Sequence, residues 1–275
     1  MKYIYLLFIA IFTFVAANAQ VIKRPLAASY PGPGAYSKNF SDIFSATSNQ
    51  ASLAQLKTAA GGVYGERRFL LEELNSYTAV VAIPTSSGVF GLQSDYFGSA
   101  AFNESQLGVS YARKITDYID VGTKFNYYAV RIAGYQNVAS VNFEAGAIVH
   151  VTGNLHAGIH VYNPAGSRLG KYEDQKLASV YRMGLGYEIS EMLFVSTELV
   201  KQQSEQISVN AGLQYNLQKN IFIRTGISTL TNNSYAAVAV QLSFARIDVN
   251  SSYHPQLGFT PGLLLLFNLK KEDKD

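Results

Sequence analysis

From Ala59 onward the side chains alternate between apolar and polar, and this period of two limits the fold more than any other feature of the chain. In 206–217, Ile207, Val209, Ala211, Leu213, Tyr215 and Leu217 share one face, and Ser208, Asn210, Gly212, Gln214 and Asn216 share the other. Successive side chains of a strand point to opposite sides of the sheet, so such a segment has one apolar and one polar surface. In 120–128, Val121, Thr123, Phe125 and Tyr127 oppose Asp120, Gly122, Lys124, Asn126 and Tyr128. Tyr181, Met183, Leu185, Tyr187 and Ile189 form a third apolar row, opposite Arg182, Gly184, Gly186 and Glu188.

The pattern predicts strands near residues 58–66, 76–84, 87–97, 104–114, 117–131, 138–151, 154–163, 178–189, 192–202, 206–217, 220–229, 234–245, 247–254 and 259–269. About fourteen strands result, many near the roughly 9–11 residues that cross a bilayer on a tilt. Tight connections such as Thr85-Ser86, Thr152-Gly153 and Gln218-Lys219 alternate with longer ones, above all 67–75 and 164–177. Outer-membrane barrels have this asymmetry, with short periplasmic turns and longer extracellular loops. The expected fold is therefore all-β: a transmembrane antiparallel barrel of about 14 strands, preceded by a short N-terminal helix or plug.

The ends of the chain agree with export. Lys2, the apolar run Tyr3 to Val15 and the small-x-small triplet Ala17-Asn18-Ala19 read as a signal peptide over 1–19. No later run of 18 or more apolar residues suggests a membrane helix. With no cysteine, an exported chain must be held by packing and backbone pairing. Charged residues make up 15% of the sequence, against about 25% in soluble domains, as expected where lipid replaces part of the water. Basic and acidic residues are interspersed, so no nucleic-acid partner is expected. Lipid of the outer membrane is the expected surrounding.

Three further segments complete the division of the chain. Residues 20–56 are expected to be the plug. Pro and Gly punctuate 29–35, and Tyr36, Phe40, Ile43 and Phe44 then recur at helical spacing, predicting a short amphipathic helix inside the barrel. The barrel is expected over 57–269, and 270–275 form a mixed-charge tail.

Polar residues on the inward rows are the candidate site. Asp120, Lys124, Glu144, His156, His160, Arg182, Glu188 and Arg224 are expected to line the lumen and to pair across it, because Arg or Lys on the lipid side costs about 2–4 kcal/mol at mid-membrane. His150, His156 and His160 could in principle ligate a metal or act as a base, but no HExxH or nucleophile-elbow pattern accompanies them. No cofactor, metal or catalytic residue is expected. Gly184 and Gly186 lie within a strand, where they let backbone or a plug approach closely.

Three stretches resemble a known family. Asn49-Gln50-Ala51-Ser52-Leu53-Ala54 is similar to the Asn-Pro-Ala-Gly-Leu segment between N-terminal helix and barrel, with Gln50 and Ser52 in place of Pro and Gly. Gln106 to Lys114, continuing through Asp120-Val121-Gly122 to Tyr127-Tyr128, looks like a central hairpin, and Tyr253 to Gly258 with Leu263 to Phe267 looks like closing strands. The family is the PorV/PorQ-type outer-membrane proteins of Bacteroidetes, relatives of the FadL fatty-acid-transport barrels. The resemblance implies a non-enzymatic barrel acting in or beside type IX secretion, with translocon components or cargo C-terminal signals as partners. Alternatively, it implies a FadL-like channel for hydrophobic or small solutes, with a hydrophobic ligand.

Overall fold

The computed structural model describes residues 32–268, apart from 136, 170–175, 204, 230 and 231. The expected signal segment and C-terminal tail lie outside the described residues. Fourteen strands form one closed antiparallel sheet: β1 (Ala60–Arg67), β2 (Asn75–Thr85), β3 (Gly88–Gly98), β4 (Phe102–Thr116), β5 (Ile119–Ile132), β6 (Val138–His150), β7 (Leu155–Tyr162), β8 (Val180–Glu188), β9 (Leu193–Gln202), β10 (Ser208–Gln218), β11 (Ile221–Ser228), β12 (Asn233–Gln241), β13 (Ala245–His254) and β14 (Gly258–Asn268). Each strand pairs with its neighbours in sequence, and β1 closes on β14 from Ala60↔Asn268 to Glu66↔Gly262. Closure leaves no unpaired edge, which hydrocarbon would not tolerate.

The alternation maps directly onto the wall. Along β8, residues 180, 182, 184, 186 and 188 are buried, while Tyr181, Met183, Leu185 and Tyr187 are exposed on the outside. Outward threonines meet their hydrogen-bonding need on the sheet itself: Thr123 Oγ1 donates to the Glu144 carbonyl (3.0 Å) and Thr225 Oγ1 to that of Tyr235 (2.9 Å). Neither of these hydroxyls is then left unpaired toward lipid. Tyr118, Tyr187, Tyr215 and Phe267 are exposed near the short-turn end, and Tyr77, Tyr96, Tyr253 and Phe259 near the other. Two aromatic girdles result, as at the two membrane interfaces.

Most strand boundaries differ from the sequence pattern by a residue or two, and the largest difference is at the end of β12. The twelfth strand stops at Gln241, and Ala245 already belongs to β13. Apolar Leu242 and Phe244 prolong the alternation through the turn, where Leu242 N donates to the Ala245 carbonyl (2.7 Å).

Position on the outer face should set the cost of charge. Leu185→Arg, at mid-strand, should destabilise refolding into lipid by about 2–4 kcal/mol, whereas the same change at Ile189, at the end of that row, should cost about 0–1 kcal/mol. Equal losses in a denaturant titration would contradict the assignment of this row to hydrocarbon.

Candidate functional site: the plugged lumen

The N-terminal segment lies inside the barrel, packed on inward-facing wall residues. It is not the single amphipathic helix that the apolar spacing predicts. Three short 3-10 turns occupy Gly32–Tyr36, Ile43–Thr47 and Gln50–Gln55. The cause is local. The Asp42 side chain accepts from Phe44 N (2.9 Å), and Ser45 Oγ accepts from Asp42 N (3.1 Å). The Asn49 side chain similarly accepts from Ala51 N (3.1 Å). Each cap satisfies backbone that a continuous helix would have used, and so starts a new turn. The predicted apolar residues are nevertheless all buried: Tyr36, Phe40, Ile43 and Phe44. Phe44 and Ile43 join Leu53, Tyr64, Val80 and Leu264 in an apolar cluster at the β1–β2–β14 wall, and Phe40 stacks on Phe194 at 5.3 Å.

Glycines make room for this segment. A Cβ on Gly122 would sit 2.6 Å from Ala51 N, and one on Gly184 would collide with the Tyr36 ring. The backbone of 49–51 and the Tyr36 ring therefore approach the wall more closely than any side chain would allow.

Charge does the remaining work. Four wall carboxylates each hold a group of the plug. Glu198 accepts from Tyr36 OH (2.7 Å). Glu188 accepts from Ser37 Oγ (2.6 Å) and Lys38 N (2.8 Å). Glu144 accepts from Gln50, and Asp120 from Gln55. On the wall the same carboxylates face basic partners: Arg182 by Glu198 (3.4 Å), His156 by Glu188 (3.2 Å), Lys124 and His160 by Glu144 (2.9 and 3.0 Å), and His150 by Asp120 (2.8 Å). His150 and His156 also meet at Nδ1 (2.9 Å), so one continuous chain of groups runs Gln55–Asp120–His150–His156–Glu188–Ser37 across β5 to β8. The plug returns one carboxylate. Asp42 lies 2.6 Å from Arg246 and 3.2 Å from Arg224, and Asp248 completes the square at 2.8 and 3.7 Å from the same two arginines. Burial pushes the Asp42 carboxyl up, but Arg246 and then Arg224 outweigh it and hold it at about 2.

All eight candidate residues, Asp120, Lys124, Glu144, His156, His160, Arg182, Glu188 and Arg224, are thus buried and inward, but they do not form one cluster. Asp120, His156 and Glu188 lie toward the short-turn end, Lys124, Glu144, His160 and Arg182 near mid-barrel, and Arg224 with the Asp42 square. Among the described residues no group of three His, Cys, Asp or Glu is arranged to hold a metal. Sequence reasoning missed Asp42, Gln50, Gln55, Arg246, Asp248 and Asp95. The inward row of β13 contains Arg246 and Asp248, and placing the strand start at 247 hid the first of them. Asp95 shares an alternating row with Gln93 and Gly91 and could have been found there.

Above the plug, toward the long-loop end, lies a small cavity of about 30 Å³, room for a few waters, lined by Thr47, Gln93, Asp95, Gln106, Lys124, Glu144, His160, Tyr162, Val180 and Arg182. His160 Nδ1 has no hydrogen-bond partner among the described residues. Leu169 and Leu177 from the connection after β7 pack on Tyr128 and Val130 and narrow the mouth.

No protein-family model matches this sequence, and neither does any curated protein. Solved structures do. The monoaromatic hydrocarbon channel CymD superposes with a TM-score of 0.61 at 11% identity, over 90% of this chain and 98% of that one. A Pseudomonas aeruginosa FadL homologue gives 0.61 at 10%, over 90% and 99%. The fold is FadL-like. The Pseudomonas putida toluene transporter TodX agrees, at 0.61 and 8% over 91% of this chain and 99% of that one. These FadL-like structures are transport proteins rather than enzymes, and at such identities the likeness extends to the fold alone.

Two substitutions test how the plug is held. Gly184→Leu should displace the Tyr36 ring and raise leak conductance in planar bilayers, and an unchanged, closed trace would show that the ring does not seal the lumen. Asp42→Asn should weaken seating by up to about 3 kcal/mol, because two buried arginines lose one of the two carboxylates they share and keep only Asp248. In the wild type the carboxyl is held below its ordinary value, so its contribution is complete above about pH 4 and disappears as pH falls toward 2. Leak should rise across that window in the wild type and be high throughout it in Asp42→Asn.

Proposed function

We propose that this protein is a channel of the outer membrane that passes small solutes through a barrel gated by its own N-terminal segment. The observation that carries the reading is a closed transmembrane barrel whose polar lumen is filled by residues 34–55 of its own chain, with only a small cavity left above them. A barrel built only for stability has no need of a separate polar plug gripped at single points. Hydrogen bonds and ion pairs to a mobile segment can be exchanged for water one at a time, whereas a packed apolar core cannot. The long connections face outward and the short turns face the periplasm, by the asymmetry usual in such barrels. Solute then enters from the long-loop end, meets the plug and passes when it shifts. The neighbours of known structure named as hydrocarbon and toluene channels support a transport role, and they make a hydrophobic ligand one class to test. Nothing in the fold or the comparisons bears on the secretion role implied by the PorV/PorQ resemblance, so it forms no part of the proposal.

The test is solute flux into liposomes containing the purified protein, with and without residues 34–55. The intact barrel should pass small solutes slowly, and the shortened one several times faster. A shortened barrel that folds, resists protease and remains impermeable would overturn the reading.

A further inference from the structure

The row of groups that crosses β5 to β8 at the short-turn end has a histidine pair at its centre. His150 and His156 face each other in the register of β6 and β7. Both are buried, their rings are nearly perpendicular (82°), and their Nδ1 atoms lie 2.9 Å apart. The carboxylates that flank the pair hold opposite ends of the plug. Asp120 accepts from Gln55, and Glu188 accepts from Ser37 Oγ, Lys38 N and the Asn39 side chain. The state of two imidazoles therefore bears on both ends of the segment that fills the lumen.

The geometry limits how many protons the pair can hold. A hydrogen bond between two imidazole nitrogens needs one N–H and one lone pair, so only one proton fits between the Nδ1 atoms. A carboxylate only accepts, so the 2.8 Å contact with Asp120 puts a proton on His150 Nε2. His156 Nε2 stands 3.2 Å from Glu188 Oε1 without a hydrogen bond, and it is the place for a third. A fourth would set two N–H groups of two cations against each other at 2.9 Å. The charges facing the pair are Asp120 on β5, Glu188 on β8 and Lys38 on the plug, and Gln55 lies 3.1 Å from His150 Nε2. Both carboxylates meet the rings at Nε2, so neither relieves the conflict at Nδ1.

We propose that the His150–His156 pair is an acid-operated release for the plug. A fourth proton parts the rings, draws Asp120 and Glu188 away from Gln55 and residues 37–39, and frees the segment from the periplasmic side. The inference rests on the channel reading and supplies its regulation. Parted and wetted, the two rings hold four protons below the ordinary imidazole value of about 6.5. The held state, with three at most, is thus favoured above that value and loses about tenfold for each unit of pH below it.

Leak conductance of the full chain in planar bilayers, read from about pH 7.5 to about pH 5, tests the release above the window in which Asp42 titrates. The wild type should leak about tenfold more at the acid end. The double variant His150→Gln with His156→Gln keeps a donor and an acceptor at the pair without a titrating ring, and its leak should change by about twofold or less. Hydrogen exchange on the detergent-solubilised wild type needs no variant to fold. Corrected for the intrinsic effect of pH, protection of amides in 37–55 should fall about tenfold over the same range while the strands keep theirs. Leak and plug protection that do not respond to pH, or a double variant with the full wild-type response, would overturn the proposal. Solute flux through the plug-deleted barrel with no acid response in the intact one leaves the channel and removes only its release. Impermeability of the plug-deleted barrel removes the channel, and exchange still reads whether acid frees the plug.

Discussion

The whole architecture follows from the absence of water in the bilayer. A strand in hydrocarbon must find all its backbone partners within the sheet, so the sheet must close, and β1 meeting β14 is the step on which everything else depends. Closure sends one row of every strand outward and the other inward. The outward row must then be apolar, which is why Tyr181, Met183, Leu185 and Tyr187 can lie exposed without forming an aggregation-prone patch. The inward row faces an enclosed space and is free to be polar.

That freedom creates a second problem. A polar lumen, neither wide and watery nor packed with apolar side chains, leaves many charged groups in need of partners. The chain fills it with its own N-terminal segment, and the division of labour is regular. Wall carboxylates at Asp120, Glu144, Glu188 and Glu198 each face a basic wall group and also a plug donor, while the single plug carboxylate, Asp42, sits between two wall arginines. Glycines at 122 and 184 give the plug the closeness that these short bonds require. Polar contacts of this kind fix the segment's orientation at single points along the wall.

Much of this was legible in the residues. The period of two is a direct record of which side of the wall each side chain occupies, so strand positions and the inward charges could be read locally. Gly184 and Gly186 could be read as a place of close approach because nothing else explains paired glycines in a strand. The plug's conformation could not. The spacing of Tyr36, Phe40, Ile43 and Phe44 correctly marks burial, but burial in a curved lumen does not require a helix, and the capping by Asp42 and Asn49 decides against one. The partners of the lumen charges were illegible for a different reason. Asp42 meets Arg246 across 204 positions of sequence, and only the closed register brings them together.

Alternation is also where the account can be tested most directly. The chain has no native cysteine, so single cysteines carrying a fluorophore can be placed in turn from 120 to 128 on β5 and reconstituted in bilayers containing a lipid-attached quencher. Strong quenching at 121, 123, 125 and 127 with weak quenching at the even positions is the result expected of this barrel. Uniform quenching, or quenching strongest at the even positions, would mean that the apolar row does not face lipid.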